Sequence, residues 1–230
     1  MFLTKNNKML WRRLAWGAVV TAVLVLLGMC CVDVPIYVVT RGVGDWGLWR
    51  LLGHVFDAKV WIVGSMIVFI AYGVKRLVKT IKSIQNKEIN FKFLDIVKET
   101  FAKTKTSHAF LIFSSVFWAS LIVWVLKIII VRLRPVFVMS GIIPDFDRFT
   151  WAWHSMPSGH TTVTFAGLVM IGMLAPKYKP ITWTIACVVG ASRIFVGAHW
   201  FSDVILGAFI GMVVADIVKW ILMKKLDKGE

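Results

Sequence analysis

Charge is scarce in this chain, and negative charge is scarcest. Asp and Glu number 12 against 27 Lys and Arg, and the four types together make up only 17% of 230 residues. With 58% hydrophobic residues and a mean hydropathy of +0.76, that scarcity excludes an ordinary soluble domain and identifies a membrane protein. The net charge of +15 would suit a nucleic-acid partner in a soluble protein. No basic helix or RNA-binding signature accompanies it, so nucleic acid is set aside and the lipid bilayer becomes the expected partner. Cysteine is scarce as well. Cys30, Cys31 and Cys187 all fall in apolar segments without CxxC spacing, and they read as packing residues rather than ligands or disulfide partners. No internal repeat, low-complexity stretch or Gly/Ser-rich linker divides the chain, so residues 1–230 are expected to form a single membrane domain.

Apolar segments run at about Leu14–Val32, Val60–Val74, Ala109–Leu126, Thr161–Ala175, Ile181–Ala198 and Val204–Met223. A span needs roughly 20 apolar residues, so several of these must extend into their flanks. The second and sixth are the weakest, the sixth being interrupted by Asp216 and Lys219, a pair expected to reach toward the inner interface. The first has basic residues ahead of it but is longer than a secretory h-region. The Asp33-Val34-Pro35 that follows is no A-x-A type cleavage site, so it reads as a retained helix ending there. The expected fold is all-α, a bundle of six transmembrane helices with both termini on one side.

Charge supplies the side. Most Lys and Arg lie in the N-terminal tail, the 75–106 loop, the turn at Lys177 and Lys179, and the C-terminal tail. The positive-inside rule makes these regions cytoplasmic. The 75–106 loop, where Lys alternates with Ile, Leu and Phe, reads either as an amphipathic helix on anionic lipid or as a solvated loop that enforces topology. Three charged motifs then face the other side: KIIIVRLRP (Lys127–Pro135), PSGH (Pro157–His160) and SRIFVGAHWFSD (Ser192–Asp203). Ionisable residues at membrane-helix ends are costly and usually functional.

In the first motif, Lys127 and Arg134 are seven residues apart, close to two helical turns, so they are expected to project from similar faces of one helix until Pro135 stops it. Two such cations can clamp an anion, Arg with a planar fork and Lys as a point charge; interfacial snorkelling is the plainer reading of Lys127. Arg132 reads as a snorkelling cation outside the clamp. In PSGH, Pro157 and Ser158 suit a helix start, Gly159 allows close backbone approach, and the amides there favour an anion beside His160, which could donate a proton. An ordinary Ser cap with an interfacial His is the alternative. The aromatic residues of the preceding loop, Trp151 and Trp153 among them, read as an interface belt. In the third motif, His199 and Asp203 are four apart and share a face if helical. The carboxylate can then hold one imidazole nitrogen and leave the other nucleophilic, with Arg193 joining the clamp. Metal binding is the rival, but no Glu or Cys lies nearby and clustered cations repel a divalent ion, so neither metal nor cofactor is expected.

The order and spacing K-x6-R-P, P-S-G-H and S-R-x5-H-x3-D resemble the tripartite signature of the type 2 phosphatidate phosphatase superfamily, which also includes glucose-6-phosphatase and vanadium-dependent haloperoxidases. Every signature position is present between Lys127 and Asp203, about a third of the chain. The resemblance implies that His199 attacks phosphorus to form a phosphohistidine with Asp203 holding it. It implies that His160 protonates the leaving oxygen and then activates water, and that Lys127, Arg134, Ser158, Gly159 and Arg193 hold phosphate oxygens. Ser192 belongs to the signature through packing or direct contact. The expectation is a multi-pass enzyme of the cytoplasmic (inner) membrane, its site facing the periplasm or exterior, that hydrolyses a phospholipid, isoprenoid or lipid A phosphate without a metal. Candidate substrates are undecaprenyl pyrophosphate, lipid A phosphate, phosphatidylglycerol phosphate and phosphatidic acid, with envelope lipids favoured. A lipid-to-lipid phosphotransferase would use the same residues. A haloperoxidase is disfavoured by the spans, and a scaffold or transporter by the combination of His160, His199 and Asp203.

Overall fold

A computed structural model describes residues 1–4, 6–41, 47–85, 100 and 107–227. Its principal elements are α1 (Trp11–Arg41), α2 (Gly47–Val55), α3 (Ala58–Gln85), α4 (His108–Ile130), α5 (Pro135–Ser140), α6 (Gly159–Leu174), α7 (Lys179–Phe195) and α8 (Phe201–Asp227). Four helices are long and apolar enough to cross a membrane: Trp11–Arg41, Ala58–Lys82, His108–Ile130 and Phe201–Met223. The apolar α6 is shorter, at 16 residues, and α7 has 17. Both segments read as weakest from sequence lie in long helices, because flanking polar residues extend them.

The first helix does not stop at Asp33. A π-turn over Gly28–Val32 lets the chain continue to Arg41, with the Asp33 amide donating to the Gly28 carbonyl. The turn shifts the backbone ladder just ahead of Pro35, where a proline would otherwise break an i→i−4 bond. Residues 33–41, beyond the expected end of that helix, are therefore helical. The 75–106 loop is likewise shorter than expected, since α3 runs on to Gln85. The surface-helix reading of its remainder lies outside the described residues.

The core sits on α6, which is hydrophobic on every side and has 11 buried residues, as a helix encircled by others must. Met170, Val169, Phe165 and Ala166 meet Leu111 and Ala119 of α4, Ala186 of α7, and Val214, Ala215 and Val218 of α8. Large apolar side chains such as Leu26, Ile67, Trp124 and Ile129 point outward instead, the surface expected of a bundle with lipid as its solvent. Cys30, Cys31 and Cys187 are also exposed and free, which corrects their reading as packing residues. Asp216 departs from expectation too. It is fully buried and accepts from the Phe2 amide at 2.6 Å and the Met1 ammonium, while Lys219 donates to the Met173 carbonyl.

The α6–α8 crossing is close enough to bring backbones together. A Cβ on Gly211 would stand 2.4 Å from the Thr162 carbonyl oxygen, and one on Gly207 2.9 Å from that of Ser158. This small-xxx-small spacing is how membrane helices gain packing energy without a hydrophobic drive. Gly211→Val should cost at least about 1–3 kcal/mol by overpacking. It should lower the thermal unfolding midpoint in detergent, and an unchanged midpoint would refute the close crossing.

These contacts orient the bundle. Trp11 meets Trp220 at 5.6 Å between ring centroids, and Asp33 meets Ser202, so α1 and α8 run antiparallel. The end of α4, the starts of α3, α6 and α8, the end of α7 and the Asp33 level of α1 gather at one place.

Candidate active site

The Lys127 motif turns rather than continuing as a helix. α4 stops at Ile130 because Val131 adopts a left-handed conformation (φ 43°, ψ 81°), which is rare for a β-branched residue and marks a place where surroundings override local preference. Arg132 then pairs in a parallel bridge with His154, and Arg134 precedes α5 with Pro135 in its first turn. Lys127 and Arg134 thus do not share a helix, contrary to the spacing argument. They converge anyway, since Lys127 Nζ (2.5 Å) and Arg134 Nη2 (3.1 Å) both donate to the His154 carbonyl.

Arg134 is buried and almost fully engaged. Nε donates to the Trp151 carbonyl at 2.9 Å and Nη1 to the Ala198 carbonyl at 2.7 Å, and its guanidinium lies 4.1 Å from the Trp151 ring centroid. Nη1 also stands 3.3 Å from His199 Nε2. A guanidinium only donates, so this contact assigns the lone pair to Nε2 and the ring proton to Nδ1. Nδ1 faces Asp203 Oδ2 at 3.6 Å and has no nearer partner. That gap is longer than a hydrogen bond. Burial, followed by the charge of Arg134, pushes the His199 imidazole down to about 3 despite the pull of Asp203. His199 is therefore neutral, with its proton on Nδ1 and its lone pair on Nε2.

The other elements converge as their motifs implied. Ser158 and Asp203 are fully buried, and the Ser158 amide donates to the Asp203 carbonyl at 3.0 Å, joining the start of α6 to the start of α8. Ser158 holds the N-cap position without capping by its side chain; its Oγ instead accepts from Thr161 Oγ1. Gly159 lies against Lys127, where an added Cβ would stand 3.8 Å from Cε. Arg193 is buried, its Nε donating to Ser192 Oγ (3.2 Å) and its Nη2 to the Trp49 carbonyl (3.1 Å). Ser192, whose role the motif left open, thus orients Arg193. Among the described residues, no three of His, Cys, Asp and Glu gather as a metal-binding set.

Several participants escaped the sequence reading. Asp57, between α2 and α3, reaches His160 Nε2 at 3.1 Å. Ser155 Oγ (2.5 Å) and the Trp200 amide (2.9 Å) both donate to Asp203 Oδ2. Arg132 is no snorkelling cation, since it bonds Asp203 Oδ1 at 2.6 Å and Asp33 Oδ2 at 2.7 Å. Trp151, read as belt, braces Arg134. The available signal was Asp33 itself, an acid in an apolar run, where an intramembrane carboxylate implies a partner.

Residues 108–227, just over half the chain, match the PAP2 superfamily. The chain belongs to that superfamily. Among its relatives, the lipid A 1-phosphatase of Rhizobium etli is 34% identical over 102 residues, 44% of each chain. The undecaprenyl-diphosphatase of Sulfolobus acidocaldarius is 41% identical over 59 residues, covering 25% of this chain and 29% of its own. The phosphatidylglycerophosphatase B of Escherichia coli is 28% identical over 90 residues, 36% of this chain and 35% of its own. This PAP2 chain spans less than half the length of each of these curated relatives. No solved structure matches it. Everything that joins α4 to α8 at the site lies within the PAP2 match, whereas Asp33 and Asp57 lie outside it.

Proposed function

We propose that this PAP2 protein is an integral-membrane lipid phosphate phosphatase that hydrolyses a phosphomonoester or pyrophosphate on a lipid headgroup through a phosphohistidine. The observation that carries the proposal is the state of His199: a buried, neutral imidazole whose Nε2 accepts from Arg134 and whose Nδ1 faces Asp203. In the first step Arg134 Nη1 lets go of Nε2 as the phosphate docks, the freed Nε2 lone pair attacks phosphorus, the bond from phosphorus to the leaving oxygen breaks, and His160 gives that oxygen a proton. In the second, water attacks the phosphohistidine, His160 takes a proton from it, and phosphate leaves. Burial and the charge of Arg193 push the His160 imidazole down to about 4; the Asp57 carboxylate 3.1 Å from Nε2 pulls the other way, and a bound phosphate anion would add to that pull toward the protonated form a general acid needs. Lys127, Arg193, the Ser158 hydroxyl and the Gly159 amide hold phosphate oxygens, the Ser158 amide being committed to the Asp203 carbonyl. Arg134 places His199 in the free enzyme and can offer phosphate two N–H groups, the one its partners leave and the one that lets go of Nε2.

An apolar groove supports a lipid substrate. It has a volume of about 410 Å³, begins at Val55 and Phe56 beside Asp57, and runs between α3 and α4 past Trp61 and Gly64 to Ile112. Its start adjoins the acid that would protonate the leaving oxygen, where an acyl or isoprenoid chain must begin. Gly64 has open space around its Cα, so Gly64→Leu should fold. It should raise KM on long-chain lipid phosphates about tenfold while leaving p-nitrophenyl phosphate unaffected; equal effects on both would remove the groove from substrate binding.

The relatives' names cover lipid A, an isoprenoid diphosphate and a glycerophospholipid. All place a terminal phosphate at the membrane surface, and we place the site of this chain at the extracytoplasmic face of the inner membrane, with six spans and both termini cytoplasmic. Phosphate release by purified protein from undecaprenyl pyrophosphate, lipid A, phosphatidylglycerol phosphate and phosphatidic acid tests the proposal. Release from at least one is expected, and silence on all four overturns it. Label passing to a second lipid in place of free phosphate would make the enzyme a transferase.

A further inference from the structure

Asp33 lies on α1, nearly fully buried and outside the stretch that matches the PAP2 superfamily. Its carboxylate is completely engaged. Oδ1 accepts from the Ser202 amide at 2.9 Å, and Oδ2 accepts from Ser202 Oγ at 2.6 Å and from Arg132 Nη2 at 2.7 Å. The other arm of the same guanidinium, Nη1, reaches Asp203 Oδ1 at 2.6 Å and Ser202 Oγ at 2.7 Å. Arg132 therefore spans two buried carboxylates. It takes Oδ1 of Asp203 and leaves Oδ2 to Ser155, the Trp200 amide and His199.

The helix is shaped for this contact. The π-turn at Gly28–Val32 immediately precedes Asp33, and α1 comes so near α8 there that a Cβ on Gly28 would stand 2.8 Å from Ser202 Cβ. π-turns inside α-helices occur often at functional sites. Charge explains why an acid is needed. Arg132 alone would cancel the charge of Asp203, the group that must stabilise positive charge growing on His199. With Asp33 added, two carboxylates share one guanidinium, and the cluster keeps one negative charge for the imidazole.

We infer that Asp33 is a positioning residue for phosphoryl transfer, setting through Arg132 both the orientation and the net charge of Asp203. The inference rests on the reading of His199 as nucleophile. Asp33→Asn keeps the size and some hydrogen bonds but leaves Arg132 to cancel the charge of Asp203. On the four lipid phosphates named above, kcat should fall on the order of 10- to 100-fold, as for partners that orient a reacting group at one remove, with KM unchanged. Arg132→Gln should also lower kcat. The double variant, which restores the charge balance, should lose far less than the product of the two single losses.

A residue that merely capped α8 would lower the unfolding midpoint, leave kcat intact and give independent effects in the double variant. Either a kcat within twofold of wild type for Asp33→Asn or multiplicative losses in the double variant overturns the inference. Should Asp33→Asn yield no folded protein, Arg132→Gln carries the test: a neutral amide leaves both carboxylates without their shared cation, so the same kcat loss at constant KM is expected, and full activity overturns the inference. His199→Ala in the same assay separates the two levels. If that variant still turns over, the nucleophile reading fails and this inference with it. If it is dead while Asp33→Asn is fully active, only this inference fails.

Discussion

Replacing His199 with alanine is expected to lower kcat by at least about 10⁴-fold on every lipid phosphate the enzyme accepts, the scale seen when the nucleophile of a covalent mechanism is removed. That corresponds to about 5.5 kcal/mol of lost transition-state stabilisation. The loss should appear in kcat with the unfolding midpoint changed less, because Nδ1 has no hydrogen-bond partner and the ring's polar contact that is lost is the 3.3 Å one between Nε2 and Arg134. The wild-type pH profile belongs to the same test. A nucleophilic imidazole must be unprotonated, and His199 is held down to about 3 by burial and Arg134, so it is fully active above about pH 4 and loses reactivity only as pH falls through that value. The acid limb of kcat/KM that belongs to His199 should therefore lie near pH 3. Turnover of His199→Ala within tenfold of wild type would end the phosphohistidine mechanism.

The site was legible in sequence to the extent that its members sit in short motifs with helical spacing. Lys127, Arg134, Ser158, Gly159, His160, Arg193, His199 and Asp203 all come together at one end of the bundle, and the PAP2 match covers every one of them. What spacing could not supply was the route. Lys127 and Arg134 converge through a left-handed turn at Val131 and a shared His154 carbonyl, which no helical periodicity encodes. Asp33, Arg132 and Asp57 were missed for a second reason: their partners lie far away in the chain, and a carboxylate meets a guanidinium only after α1 and α8 have packed. Helix lengths are not legible where polar residues mimic boundaries. Asp33 and Pro35 look like an end, yet the π-turn carries the helix past both and presents Asp33 inward.

His160→Ala should separate the two halves of the reaction. General acid–base catalysis contributes about 10²- to 10⁴-fold, and its weight depends on the leaving group. A lipid alkoxide leaves poorly without a proton, so on lipid phosphates the first step itself should stall and kcat should fall by about 10³-fold. p-Nitrophenolate leaves without help, so with p-nitrophenyl phosphate His199 should still be phosphorylated, while the water that must clear it lacks its base. The expected record is a burst of p-nitrophenolate near one equivalent per enzyme, then a slow steady state, with acid-labile phosphate trapped on the protein. Asp57→Asn should move in the same direction by a smaller factor, because it leaves His160 in place but withdraws the carboxylate 3.1 Å from Nε2 that favours its charged form. Equal slowing on both substrates with no burst would mean that His160 binds phosphate rather than moves protons, and the acid–base role would then pass to another group near the groove mouth.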